Sequence, residues 1–444
     1  MQSWTFSLAL LFSISTGWAQ PVVPTPTQAQ LDWHEMEFYL FIHFGPNTFT
    51  GKEWGHGDEK EEVFNPSQLD CRQWCRLARA SGARGIIITA KHHDGFCLWP
   101  SAYSTHTVRE SKWKNGKGDV LKNLSDACLE YRLKFGVYIS PWDRNHPKYG
   151  TEEYNNVFVN MMVELFTRYG PIWELWWDGA NGEGPNGKRQ VYDWHRYRST
   201  VRRLSPQTIV FSDIGPGCRW VGNERGIAGT TNWNYLDTVG FSPGAGAPPT
   251  DTLNRGNMYG QQWIPAECDV SIRPGWFFHR EENEKVKAPE TLMELYLKSV
   301  GRGANFLLNV PPDDRGRITG FDSAALMGFK KLRDKNFSKP VAVKKFTSVQ
   351  DRYLMRLAPA MKFNCVVLKE PIAGGQSIGS FTILVKRKGQ IIREIKGTTV
   401  GRKRIITFPD VEADEVEISI QGTRFRPYLS EAAVYLIDEN LIEK

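Results

Sequence analysis

Between residues 39 and 334, short apolar runs alternate with longer one-sided runs, and this alternation constrains the fold more than any other feature of the chain. Parallel strands joined by crossover helices are covered on both faces, so the strands read as continuous apolar stretches and the helices as amphipathic ones. The run Gly85-Ile86-Ile87-Ile88-Thr89 is such a strand. The spacing predicts strands at 39–44, 85–89, 135–140, 172–177, 208–212 and 305–310, and helices at 71–83, 120–133, 154–169, 191–204, 290–300 and 323–334. Seven or eight strand–helix units fit before residue 337, which favours a closed α/β barrel of the (β/α)8, TIM-like type over an open sheet. Residues 215–287 are rich in Gly and Pro and read as irregular. From residue 341 helical periodicity gives way to short strands separated by turns, the pattern of a C-terminal antiparallel β-sandwich domain. The basic clusters there, Lys386-Arg387-Lys388 and Arg402-Lys403-Arg404, read as solvated faces. The expected division is 1–19 as a signal peptide, 20–337 as the barrel and 338–444 as the β domain.

Composition narrows the function. With 41% apolar and 24% charged residues the chain supports a well-filled core, which excludes a largely disordered protein. A net charge of +7 without a continuous basic arm argues against nucleic acid as the partner. The seven cysteines show neither a paired framework nor zinc spacing, so buried free thiols are expected. At the amino terminus, Leu8-Ala9-Leu10-Leu11-Phe12 followed by Gly17-Trp18-Ala19 reads as an export signal cut after Ala19, although no Lys or Arg precedes it. No later run is long and apolar enough for stable membrane insertion. The expectation is an exported protein, periplasmic or extracellular.

Barrel enzymes carry their chemistry at the carboxyl ends of the strands, so the residues that follow each strand carry the information. After the first come Ile42-His43-Phe44-Gly45 and Lys52-Glu53-Trp54. The second is followed by Lys91-His92-His93-Asp94-Gly95-Phe96, and the third, which contains Tyr138, by Pro141-Trp142-Asp143. The fourth ends in Glu174-Leu175-Trp176-Trp177-Asp178-Gly179, and the fifth leads through Asp213 to Gly222-Asn223-Glu224. Polar and aromatic groups therefore converge on one rim from five strands. The 16 Trp residues suit sugar rings, which offer apolar faces beside polar edges. Taken singly, His43 also fits a core histidine, and Asp178 also fits a turn cap before Gly179. His92 and His93 resemble a metal pair, but neighbours at a strand end point to opposite faces and no third ligand is suitably spaced. No metal or cofactor is expected. Glycosidic cleavage needs two carboxyl groups, one to attack and one to donate a proton. Asp178 suits the first role, and Glu224 or Glu267 the second.

The motifs Ile42-His43-Phe44-Gly45, Lys91-His92-His93-Asp94-Gly95-Phe96, Glu174-Leu175-Trp176-Trp177-Asp178-Gly179 and Asn305-Phe306-Leu307-Leu308-Asn309-Val310-Pro311 together resemble glycoside hydrolase family 29, the exo-acting α-L-fucosidases. The resemblance covers residues 30–335, and the barrel-plus-β-sandwich layout matches as well. It implies a retaining double displacement on the terminal α-L-fucose of fucosylated oligosaccharides or glycoconjugates, with Asp178 as nucleophile. It further implies sugar contacts from His43, Glu53, Trp54, His92, His93, Tyr138 and Trp176. In the branch acting on α-1,3/1,4-linked fucose, the acid/base resembles a Glu in a Gly-Asn-Glu loop some 45 residues beyond the nucleophile. Glu224, 46 residues beyond Asp178, fits this, whereas Glu267 does not. Glu267, Asp269 and Arg273 are then expected to shape the site on its leaving-group side. Two other readings stay open: the same chemistry on another fucosyl linkage or a galactose-like sugar, and a sugar-binding barrel without catalysis.

Overall fold

A computed structural model describes residues 23–244 and 246–442, so the expected export signal at 1–19 lies outside the described residues. The strands of the first part are β1 (Phe38–Ile42), β2 (Gly85–Lys91), β3 (Lys134–Ile139), β4 (Glu174–Trp176), β5 (Ile209–Ser212), β6 (Cys218–Trp220), the short pair β7 (Tyr235–Leu236) and β8 (Gln262–Trp263), then β9 (Ala266–Ser271) and β10 (Asn305–Asn309). Eight of these, all but β7 and β8, close into a parallel barrel in the order β1-β10-β9-β6-β5-β4-β3-β2. The helices are α1 (Gln28–Met36), α2 (Pro46–Thr50), α3 (Cys71–Ser81), α4 (Val120–Tyr131), α5 (Glu152–Arg168), α6 (Trp194–Leu204), α7 (Thr250–Arg255), α8 (Pro289–Ser299) and α9 (Gly320–Phe337). Asp70, Asp119 and Asp193 cap α3, α4 and α6 by accepting backbone N–H groups of the first turn.

The barrel departs from regular alternation between β5 and β9. Five residues, Asp213 to Gly217, separate β5 from its parallel neighbour β6, with no helix between them. The chain doubles back so tightly that a Cβ on Gly217 would lie 2.6 Å from the Val210 backbone nitrogen. After β6 a long excursion carries the β7–β8 pair and α7 before β9 restores the barrel. The segment read as irregular therefore holds two barrel strands. Inside the barrel, side chains of alternate positions form a packed core of Tyr39, Phe41, Ile87, Tyr138, Trp176, Ile209, Phe211, Cys218 and Leu307, plugged from below by Trp33 and Met36 of α1. The rings of Trp176 and Phe211 stack with centroids 3.8 Å apart.

The C-terminal part is one six-stranded antiparallel sheet in the order β11-β16-β12-β15-β13-β14: β11 (Ala342–Lys345), β12 (Arg352–Lys369), β13 (Ile378–Arg387), β14 (Gln390–Gly397), β15 (Arg404–Thr423) and β16 (Glu431–Tyr435). The long strands β12 and β15 shift register near Arg356–Met361 and Phe363–Cys365. One core, including Tyr353, Phe363, Val366, Ile383, Ile418 and Val434, packs this domain. Arg402, expected on a solvated face, instead pairs with Glu35 and Glu37 beneath the barrel, and Lys403 pairs with Glu37. All seven cysteines are free and buried. Among the described residues no helix is long and apolar enough to cross a membrane.

Candidate active site

At the carboxyl end of the barrel a cavity of about 200 Å³ is lined by Phe41, His43, Glu53, Trp54, His92, His93, Tyr138, Trp176, Asp178, Ala180, Glu224, Asp269 and Trp276. Nine of these are sequence-predicted sugar-contact or catalytic residues, brought together from the ends of β1, β2, β3, β4 and β6. His92 and His93 both face the cavity, contrary to the alternation expected of strand neighbours. β2 stops at Lys91, so the pair sits in the turn, with ring centroids 4.2 Å apart.

Asp178 follows β4. Its Oδ2 accepts the Tyr138 hydroxyl at 2.9 Å, its Oδ1 accepts the Ala180 backbone N–H at 2.7 Å, and His93 Nε2 stands 3.7 Å from Oδ2. The carboxylate is 24% exposed, held in one orientation yet open to the cavity. The next residue, Gly179, packs so closely on Asp213 that a Cβ would lie 2.2 Å from its carboxylate, which explains the glycine there. Burial, with Asp178 adding to it, pushes the Asp213 carboxyl up to about 6.

The histidines are neutral acceptors and donors rather than cations. Burial holds His43 down to about 3 and His93 to about 4, and drives His92 well below the ordinary value. The network around His43 fixes its tautomer. Asn309 donates through Nδ2 to Ser271 Oγ (2.9 Å) and to the Trp276 carbonyl (2.7 Å), so its Oδ1 faces His43 and accepts Nδ1–H at 2.9 Å. His43 Nε2 is then a bare acceptor, able to accept a hydrogen bond from a hydroxyl. His93 Nδ1 lies 2.8 Å from Ser140 Oγ.

Glu53 both lines the cavity and fastens the loop that follows β9. It accepts the backbone N–H of Trp276 at 2.7 Å and of Phe277 at 3.3 Å, and the His279 ring reaches it through Nε2 at 2.7 Å. The exposed Trp54 ring meets His93 and Trp142 edge-on. Glu224, on the loop after β6, accepts the Trp276 indole N–H at 3.3 Å. Partial burial raises its pKa, Asp178 and Glu53 raise it further, and the Trp276 bond opposes them. Asp269 lines the cavity with an Oδ1 that has no partner among the described residues, and burial plus the charges of Glu224 and Glu267 push its pKa well up.

Two expected contacts lie elsewhere. Glu267 belongs to β9, not to a loop, and is fully buried in the barrel interior, where it accepts the Trp176 indole N–H at 2.8 Å and the Tyr39 hydroxyl. Arg273 is also fully buried, and its guanidinium binds Asp322 at 2.8 Å, Asn283 at 3.0 Å and Thr319 at 3.2 Å. Neither lines the cavity. Conversely, Trp276 lines the cavity although sequence reasoning does not single it out. Recognising β9 as a strand would draw attention to the Arg273-Pro274-Gly275-Trp276 run that follows it.

Comparison with known proteins agrees with this geometry. The family described as Alpha-L-fucosidase matches residues 15–331. The chain is 38% identical to Alpha-L-fucosidase 1 of Arabidopsis thaliana, covering 94% of this chain and 88% of that one. A glycoside hydrolase 29 family member from an unknown rumen bacterium superposes with a TM-score of 0.88 at 42% identity, over 95% of this chain and 78% of that one. A Ruminococcus gnavus GH29 fucosidase in complex with fucose gives a TM-score of 0.83 at 27% identity, over 97% and 99% of the two chains. The chain belongs to the α-L-fucosidases of glycoside hydrolase family 29.

Proposed function

We propose that this fucosidase is exported and releases terminal α-L-fucose, α-1,3/1,4-linked in Lewis-type glycans, by a retaining double displacement. The observation that carries the reading is a single cavity walled by neutral histidines and aromatic rings. In it Asp178 is oriented by two donors, and Glu224 is biased towards its acid form. The volume of about 200 Å³ lies below the range of roughly 300–1,000 Å³ typical of larger ligands, which suits one terminal ring.

In the first step an Asp178 oxygen attacks the anomeric carbon while Glu224 gives its proton to the departing oxygen. In the second, Glu224 takes a proton from water, the water oxygen attacks the same carbon, and Asp178 is released. Tyr138 and the Ala180 N–H keep the nucleophile's oxygens aimed, and His43 Nε2 accepts a sugar hydroxyl. Hydrogen bonds that tighten as positive charge develops on the ring raise the rate rather than the affinity alone.

The placement of Glu224 in a Gly222-Asn223-Glu224 loop supports the linkage preference. Fucose release from branched Lewis-type oligosaccharides, compared with α-1,2- and α-1,6-fucosides, tests it, and faster release of the latter two contradicts it. For the roles, Glu224→Ala is expected to lose most activity and to regain part of it with azide, the product being fucosyl azide. Rescue of Glu267→Ala instead would overturn the assignment.

A further inference from the structure

The barrel interior holds two acids that the reaction above does not use. Glu174 on β4 and Glu267 on β9 are both fully buried, and with Cys218 on β6 their polar atoms lie within 4.8 Å of one another. The Trp33 indole (3.1 Å) and the Cys218 thiol (3.6 Å) donate to Glu174, while the Trp176 indole (2.8 Å) and the Tyr39 hydroxyl donate to Glu267. Ile87, Ile209 and Leu307 belong to the same core, and the nearby buried Asp269 feels the charge of Glu267. Among the described residues no cation pairs with either acid.

Two carboxylates this close cannot both ionise in such a setting, so the pair shares one negative charge. The donors decide where it resides. Glu267 receives the phenolic O–H, the Trp176 N–H and the hydrogen bond from Glu174, whereas Glu174 is left with one indole and a weak thiol donor. Burial raises the pKa of both acids, and the charge on Glu267 adds to the rise at Glu174. Glu174 is the neutral acid and Glu267 the anion, and the donor of the 2.8 Å bond to that anion is Trp176, whose ring lines the sugar cavity.

We propose that Glu267 is a positioning residue whose buried charge, hydrogen-bonded to the N–H edge of the Trp176 ring, favours the positive charge that develops on the sugar, while Glu174 holds the proton that keeps the pair singly charged. The inference rests on the glycosidase reading of the cavity, in which the transition state is oxocarbenium-like. An ion fixed in a water-excluded interior needs no reorganisation when the charge develops, so its effect belongs to kcat rather than to binding.

The test uses the full chain and an aryl α-L-fucoside, with kcat and KM measured for wild type, Glu174→Gln, Glu267→Gln and the double variant, and thermal melting as the check on folding. In Glu174→Gln the amide N–H replaces the acid as donor and the Glu267 charge stays, so kcat should remain within about twofold of wild type. In Glu267→Gln the charge can retreat to Glu174, and an intermediate loss is expected. The double variant keeps the shape and removes the charge, and its kcat should fall about tenfold below Glu174→Gln with little change in KM. Tenfold in rate corresponds to about 1.4 kcal/mol of transition-state stabilisation. A double variant as fast as Glu174→Gln overturns the proposal, as does a tenfold loss in Glu174→Gln alone. Should the double variant not fold, Glu267→Gln decides: unchanged kcat overturns the proposal, and a loss at constant KM supports it. A wild type inactive on every fucoside would instead overturn the reading of the cavity, a separate result.

Discussion

Lys91→Met should cost the protein about 3 kcal/mol of stability and weaken the site it underlies. Lys91 ends β2, and its ammonium lies 3.3 Å from Asp143 Oδ2 with both side chains wholly inaccessible to solvent. The same nitrogen donates to the Trp142 carbonyl at 3.1 Å. Asp143 in turn accepts the backbone N–H groups of His146 (2.8 Å) and Asn145 (3.0 Å) and the Tyr154 hydroxyl (3.1 Å). Removing one partner of a buried pair costs about 3–5 kcal/mol because it strands the other charge. Three donors remain on Asp143, which puts the expected loss at the lower end, about 3 kcal/mol. Burial pushes the Asp143 carboxyl up, but Lys91 and the backbone donors more than offset it, and the net shift is downward. The pair's contribution is therefore present at neutral pH and lost as pH falls through the folded-state pKa of Asp143. Urea unfolding followed by Trp fluorescence, with Lys91→Met, Asp143→Asn and the double variant in one cycle, measures the effect. The double variant should be more stable than the sum of the single losses implies. A Lys91→Met loss below about 1 kcal/mol, or strict additivity, would refute the argument. Folded Lys91→Met should also lose kcat/KM severalfold, because the Trp142 ring packs 4.9 Å from His93 and 5.8 Å from Trp54.

Other perturbations probe the electrostatics. In the proposed mechanism Glu224 is the proton donor, so kcat/KM should fall as pH rises through its raised pKa. Trp276→Phe removes the hydrogen bond that favours the Glu224 carboxylate, so the basic limb of the profile should move to higher pH; movement to lower pH would contradict the assignment. His34 and His43, held at about 3, and His93, at about 4, are neutral in the folded protein, whereas an unfolded chain protonates them near 6.5. Below about 6.5 the unfolded state then binds more protons, and each histidine contributes roughly 2–3 kcal/mol to the loss of stability by about pH 4.5. Melting against pH should show this slope, and His34→Gln should make it shallower; an unchanged slope would count against the burial argument.

How much of this is legible in the sequence depends on local regularity. β1 to β5 and β10 announce themselves because each is an apolar run beside a helix of regular period, and the motifs after β1, β2 and β4 lead directly to His43, His92, His93 and Asp178. β6 has three residues and follows β5 without a helix, so no periodicity marks it. β9 reads Ala-Glu-Cys-Asp-Val-Ser, with acids at inward positions, and such a pattern resembles a polar loop until the barrel is seen to close around it. Hence spacing puts Glu267 on a loop near the sugar and gives no hint of Trp276. Arg273 carries a charge that sequence reading associates with ligands, yet Asp322, more than forty residues away in sequence, claims it. Long-range pairing of this kind leaves no trace in spacing. Likewise, α1 follows a Pro/Thr/Gln-rich stretch, but its Trp33 closes the bottom of the barrel.

Whether Asp178 forms the covalent bond to the sugar can be decided by trapping. An activated 2-fluoro-α-L-fucosyl donor slows the second step of a double displacement and lets the glycosyl-enzyme accumulate for peptide mass spectrometry. One added 2-fluorofucosyl group is expected, on the peptide containing Trp176-Trp177-Asp178-Gly179 and absent from Asp178→Asn. A label on another carboxylate, or turnover of the natural linkage with inverted configuration and no label, would contradict the assignment.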